Sequence, residues 1–196
     1  MGNVLLADDH ELVRETIAAY LSHHGSHTVV SVGSFSEASQ ALAQEAFDLV
    51  MLDYRMPGME ALDGLKELAA TYPNTPFALI SGAAGPDIAR YAIDSGAAGF
   101  LPKTLAPLDL VGAVETLING GFFLPDEAMA KMSSRLTPRE IEVVRGIAAG
   151  KSNKEIARDL GVQEVTIKLH VKTLSRKLDA RNRTHAAMRA RDLGLV

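Results

Sequence analysis

Five groups able to do chemistry each follow a short apolar run: the adjacent carboxylates Asp8 and Asp9, the carboxylate of Asp53, the hydroxyl of Ser81 and the ammonium of Lys103. If each run is a β-strand of one parallel sheet, all five groups collect at the carboxyl edge, where open α/β sheets bind ligands. Three carboxylates at one mouth repel each other, and each is costly to leave dry and unpaired, so the cluster calls for a compensating cation. Oxygen ligands alone point to Mg²⁺, which takes a few carboxylates, waters and often a phosphate oxygen. A single strand-end Asp is ordinarily a helix cap or turn residue, and a single Lys a solvated one. Finding such groups at the ends of four of the five expected strands of one half-chain sets this constellation apart.

The elements that must position these groups can be read from the hydrophobic pattern. Strands are expected over Val4–Ala7, Thr28–Val32, Leu49–Leu52, Phe77–Ile80 and Gly99–Leu101. Amphipathic helices fill the gaps near Glu11–Ser22, Ser36–Glu45, Leu62–Thr71 and Pro86–Asp94, with a last one over Pro107–Asn119. Alternating strands and helices predict an α/β doubly wound, five-stranded parallel sheet.

The strings Asp8-Asp9, Asp53-Tyr54-Arg55-Met56-Pro57-Gly58, Ser81-Gly82 and Gly99-Phe100-Leu101-Pro102-Lys103 resemble the signature of response-regulator receiver domains over about the first 120 residues. The resemblance implies that Asp53 accepts a phosphoryl group. It also implies that Asp9, Asp53 and the backbone carbonyl of Arg55 ligate Mg²⁺ and that Asp8 acts through a coordinated water. Ser81 and Lys103 would bind phosphoryl oxygens, and Phe100 would turn inward as Ser81 moves toward the new group. Elementary chemistry agrees, since phosphoryl transfer needs alignment and charge neutralisation more than covalent assistance. Gly82, lacking a side chain, would leave the phosphorus accessible. The chain departs from the common pattern at Thr104, where many receivers have proline, and at Ala61, where glycine is common. Arg55, long and cationic, is expected to reach over the site and alter hydrolysis of the aspartyl phosphate.

The chain's 196 residues suffice for two domains, and its 47% hydrophobic and 22% charged composition suits a buried core. Without cysteine, thiolate catalysis, disulfides and cysteine-held metals are excluded. No apolar run reaches the length of a membrane span, and no signal-peptide layout is present, so a cytoplasmic location and no membrane partner are expected. The net charge of −4 conceals an asymmetry: residues 1–120 hold 15 acidic against 5 basic side chains, and residues 121–196 hold 9 against 15. The basic half is thereby a candidate for contact with a phosphate backbone.

Gly120 to Ser134 reads as a linker with room for one short helix, giving expected divisions of 1–120, 121–134 and 135–196. Beyond Leu136 the pattern is wholly helical. Thr137-Pro138-Arg139-Glu140 and Ser152-Asn153-Lys154-Glu155 each have the layout of a capping box. Gly161 suits the left-handed end of a helix, and another helix is expected from about Glu164. In it Ile167, Val171, Leu174 and Leu178 recur at helical spacing as a buried stripe, while Val165, Lys168, Leu169, Lys172 and Arg176 fall on the other face.

Leu136 to Leu195 resembles a LuxR-type helix-turn-helix domain, through Leu-Thr-Pro-Arg-Glu, Ser152-Asn153-Lys154-Glu155-Ile156-Ala157 and Thr166-Ile167-Lys168-Leu169-His170-Val171. This implies that Lys168, Leu169 and Lys172 meet base edges or nearby phosphates, with Lys154, Thr166 and His170 as backbone contacts; His170 alternatively packs beside the buried stripe. Gln163 stands where the family usually has a capping serine. The last helix, expected over Thr184–Leu193, would pair two domains on DNA, with Ala186, Ala187 and Ala190 permitting close approach.

Together the resemblances imply a regulator of the NarL/FixJ type rather than an enzyme. Its partners would be a sensor histidine kinase and double-stranded promoter DNA, bound as a homodimer. The unphosphorylated receiver would cover the recognition helix, the opposite domain charges favouring that docking. Two other classes use the same residues: a phosphoryl relay whose helical domain docks a protein, and a metal-dependent phosphatase.

Overall fold

In the computed structural model, which describes residues 1–59, 62–82, 86–125 and 136–196, the first half is a five-stranded parallel sheet. Its strands are β1 (Asn3–Ala7), β2 (Thr28–Val32), β3 (Leu49–Asp53), β4 (Phe77–Ser81) and β5 (Gly99–Pro102), in the order β2-β1-β3-β4-β5. The helices between them are α1 (Glu11–His24), α2 (Phe35–Gln44), α3 (Asp63–Thr71), α4 (Pro86–Asp94) and, after β5, α5 (Pro107–Ile118). The order reverses at β1, and a crevice opens beyond the ends of β1 and β3. The expected Ala61 departure lies outside the described residues.

Alternation along the strands sorts side chains to the two faces. Leu5, Ala7, Val50, Leu52, Phe77 and Leu79 pack beneath α2, α3 and α4 with Leu42, Leu65 and Ile93. Val4, Leu6, Leu49, Met51, Ala78 and Ile80 pack beneath α1 and α5 with Ile17, Leu21, Val114 and Leu117. Every residue of β3 and β4 is buried, which explains why these strands read as continuous apolar runs rather than alternating ones.

After α5 the chain returns to the sheet instead of leaving it. The Phe100 N–H donates to the Phe123 carbonyl at 3.0 Å, and the Phe123 N–H donates to Ala98 at 3.3 Å. Phe123 thus forms a parallel bridge to Gly99 on the outer edge of β5. The sequence reading assigns this segment to a linker; its short apolar run Phe122-Phe123-Leu124 is the signal for its packing.

The second half contains α6 (Pro138–Ala148), α7 (Asn153–Leu160), α8 (Glu164–Lys177) and α9 (Arg183–Asp192). Both expected capping boxes form, with Thr137 accepting from the Glu140 N–H and Ser152 from the Glu155 N–H. Gly161 ends α7 at φ 63°, in the left-handed region that a side chain would strain. At the start of α8, Gln163 makes no side-chain cap. Val143, Val144, Ile147, Ile156, Ile167, Leu174 and Leu178 build the core. Ala186 and Ala190 lie fully inside it, which corrects their expected role: they admit α9 to its own domain and present nothing to a second copy. The outward apolar residues here are Met188 and Leu193.

Beneath this core the Lys177 ammonium meets the Glu140 carboxylate at 2.7 Å, both side chains being fully buried. Removing one partner of such a pair leaves the other as an uncompensated buried charge. Lys177→Met is therefore expected to destabilise the helical domain by about 3 kcal/mol, read as a lowered urea midpoint with the slope unchanged.

Candidate phosphoryl-acceptor site and recognition helix

At the carboxyl edge of the sheet, β1, β3 and β5 deliver Asp8, Asp53 and Lys103 to one point. The Lys103 ammonium lies 2.6 Å from Asp8 Oδ2 and 2.9 Å from Asp53 Oδ1, and both carboxylates are buried. Backbone donors fix the remaining oxygens: the His10 N–H to Asp8 Oδ1 at 2.9 Å and the Arg55 N–H to Asp53 Oδ2 at 3.1 Å. Arg14 donates to the Asp8 carbonyl at 2.7 Å, and the Lys103 N–H donates to the Ser81 carbonyl at 2.8 Å. Burial of the ammonium works against its charge, but hydrogen bonds and ion pairing to Asp8 and Asp53 outweigh it and raise the Lys103 pKa above the ordinary value.

Asp53 and Lys103 line a cleft of about 350 Å³ together with His10, Val13, Arg55, Ser81 and Gly82. Ser81 is buried in the wall, while a Cβ at Gly82 would meet no atom within 4 Å, so the space above the Asp53 carboxylate is open on that side. Asp8, Asp9, His10 and Asp53 bring one ligand atom each within 4.8 Å of one another, a donor set that suits a divalent cation. His10 is absent from the sequence reading, yet its Nδ1 lies 2.8 Å from Asp9 Oδ1; the signal was its position directly after the acidic pair. Phe100 is buried in the core under α4.

The recognition helix candidate α8 docks on this first domain. Leu169 is wholly buried and joins the apolar cluster of α2, α3 and α4; Val165 joins the cluster of α1 and α5. The Thr166 hydroxyl donates to the Gly96 carbonyl at 3.1 Å, and the Thr137 hydroxyl donates to Asp94 Oδ1 at 3.3 Å. Gly96 stands at φ 102° with room beside Ala69 and Val162 for nothing larger. Lys172 Nζ sits 4.8 Å from the centre of the Phe122 ring. Lys154 and Lys168 point to solvent, and His170 is buried beside the receiver. Of the residues expected to face a groove, Leu169, Thr166 and His170 are thus covered, because the first domain occupies the face that the helix pattern left open.

Comparisons with known proteins agree in both halves. The model of the response regulator receiver domain matches residues 4–115, and that of the bacterial regulatory proteins of the luxR family matches residues 134–190. A glycerol metabolism activator of Pseudomonas putida is 31% identical, with 98% of this chain and 96% of that protein covered. A nitrate/nitrite response regulator protein homolog of Haemophilus influenzae is 33% identical over 94% of each. Among solved structures, the two-component response regulator RcsB in complex with DNA matches at 26% identity and a TM-score of 0.62, over 98% of both chains.

Two titratable groups at the docked surface, half-buried Asp94 and buried His170, act in opposite senses. Burial, then the Glu140 carboxylate, raises Asp94 from 3.8 to about 6, against the pull of Thr137, Lys177 and Arg90. Burial, then Arg139 and Lys177, lowers His170 from 6.5 to about 3. Protonating Asp94 favours docking, a contribution complete below about 3.8 and lost as pH rises through about 6. Neutral His170 also favours docking, a contribution complete above about 6.5 and eroded as pH falls toward 3. Between pH 7 and 5 the two trends offset. Asp94→Asn is expected to loosen docking on acidification and His170→Gln to tighten it, measured as protection of α8 amides from hydrogen exchange.

Proposed function

The chain belongs to the response regulators that join a receiver domain to a LuxR-type DNA-binding domain, and from that premise we propose that phosphoryl transfer to Asp53 controls when α8 is free to enter DNA. Residues 1–120 form the receiver unit, residues 121–134 a linker whose first residues stay packed on the sheet, and residues 135–196 the DNA-binding unit. The observation that carries the reading is the Lys103 ammonium held by Asp8 and Asp53 together in an open cleft.

Asp53 is the nucleophile: one carboxylate oxygen attacks the phosphorus of a phosphohistidine on a sensor kinase, and the imidazole leaves. Asp8, Asp9, Asp53 and the Arg55 carbonyl would hold Mg²⁺, which would supply charge neutralisation to the phosphoryl oxygens. Lys103 moves its ion pair from the Asp53 carboxylate to the incoming phosphoryl group, and Ser81 donates to a second oxygen. Drawing Ser81 inward vacates space behind it that Phe100 fills. New charge-assisted hydrogen bonds need bias a two-state equilibrium by only a few kcal/mol. Once α8 leaves the receiver, Lys168, Leu169 and Lys172 face the groove, and Lys154, Thr166 and His170 approach the phosphates. Two copies then occupy promoter DNA as a dimer. The full-length likeness to transcriptional regulators favours this over a relay or a phosphatase, and a cytoplasmic location follows from the partners.

A DNA-binding titration with a duplex recovered from a random-sequence pool tests the proposal. Acetyl phosphate with Mg²⁺ is expected to raise the affinity of the native chain about tenfold and to leave Asp53→Asn unchanged. Lys168→Ala with Lys172→Ala is expected to weaken both states and flatten the salt dependence. An equal response from Asp53→Asn would refute the assignment. Arg55, exposed at the cleft wall, shields the aspartyl phosphate from water; Arg55→Ala is expected to shorten its lifetime several-fold, and an unchanged lifetime would remove that role.

A further inference from the structure

The phosphoryl site and the recognition helix are joined by a short piece of chain that follows α5 and touches both units. The segment Phe122–Leu124 lies along the outer edge of β5, and its backbone bonds are made to the strand that carries Phe100 and leads to Lys103. Phe123 accepts the Phe100 N–H at 3.0 Å and bridges Gly99. The fit is close: a Cβ at Gly99 would lie 3.1 Å from the Phe123 carbonyl and 2.9 Å from Leu117, so only glycine lets the segment seat. One residue before this bridge, the Phe122 ring packs against both apolar clusters of the receiver and holds the Lys172 ammonium at 4.8 Å. One residue after it, Leu124 is buried in the cluster that contains both Phe100 and Leu169.

We infer that Phe122–Leu124 is a clasp that transmits the state of β5 to α8, with the Phe122 ring as the residue that retains Lys172. The inference rests on the phosphoryl-switch reading above and adds its physical route. A shift of the Phe100 backbone moves its hydrogen-bond partner at Phe123, and the adjoining ring is carried with it. Lys172 is exposed and Phe122 half-buried, so the ammonium is held only weakly over the ring face, and turning the ring away from it is enough to release Lys172. The clasp therefore acts on a side chain that, once free, carries charge to the nucleic acid. Docking and DNA binding compete for one ammonium.

Phe122 lines no part of the phosphoryl cleft and meets the candidate DNA-binding face only while the two units are docked, so its variants leave the phosphoryl chemistry and the released helix intact and report on the coupling between them. The test is a DNA titration of the full chain with and without beryllofluoride and Mg²⁺, using the pool-selected duplex. In Phe122→Ala the affinity without beryllofluoride is expected to rise about fivefold, equivalent to about 1 kcal/mol. The gain on adding beryllofluoride shrinks by the same factor, and the affinity of the loaded form stays that of the native chain. Phe122→Leu keeps the apolar filling and removes the π face; the same direction of change in this variant, with a native urea midpoint, separates loss of the clasp from loss of fold. Native values for basal affinity and gain in both variants would overturn the clasp while leaving the switch intact. Absence of any beryllofluoride gain in the native chain would overturn the switch itself, and the clasp with it.

Discussion

Everything at the carboxyl edge of the sheet depends on one ammonium shared between two buried carboxylates. Asp8 and Asp53 are close enough to repel strongly in a medium that screens poorly, and Lys103 is the charge that makes their approach tolerable. Because the three residues stand at the ends of β1, β3 and β5, the pairing also constrains the sheet: it forms only when β1, β3, β4 and β5 stand side by side in that order. The backbone N–H groups of His10 and Arg55 hold the outer carboxylate oxygens, so both carboxylates are fixed in orientation as well as in charge.

The contact between the two units is of another kind. Their opposite net charges suggest an electrostatic dock, but the surfaces meet through Val165 and Leu169 in the receiver's apolar clusters, through hydroxyl-to-carbonyl and hydroxyl-to-carboxylate bonds, and through a cation over an aromatic ring. Charge brings such surfaces together from a distance; burial and short-range geometry decide how long they stay. With Leu169 buried in the receiver's apolar cluster, the outward face of α8 is concealed by apolar contact rather than by charge.

Most of the architecture was legible because its signals are local. β3 and β4 announce themselves as unbroken apolar runs, the two capping boxes as four-residue patterns, and Gly161 as a helix end, and all of these form. The acidic residues could be assigned to one edge because parallel strands all end on the same side. What escaped was long-range. Nothing in the neighbourhood of Ala186 and Ala190 says whether a small-residue stripe meets its own domain or another copy, and only the packing of α9 on α6 decides it. The return of Phe123 to β5 is hidden for the same reason, since one bridge far from its partner in sequence has no periodicity. His10 was overlooked beside more strongly charged neighbours, although the geometry that gathers Asp8 and Asp9 gathers it too.

The bridge at Phe123 also bears on where the receiver can be cut. β5 is an outer strand, and a bare outer strand offers its unpaired N–H and carbonyl groups to any neighbouring molecule. Phe123 caps that row at Phe100 and Ala98, while Leu124 covers apolar surface beside it. A fragment ending at residue 120 would keep all five strands and every side chain of the carboxyl-edge cleft, yet expose a sticky margin that the intact chain keeps sealed, so solubility rather than chemistry would set the shortest usable receiver.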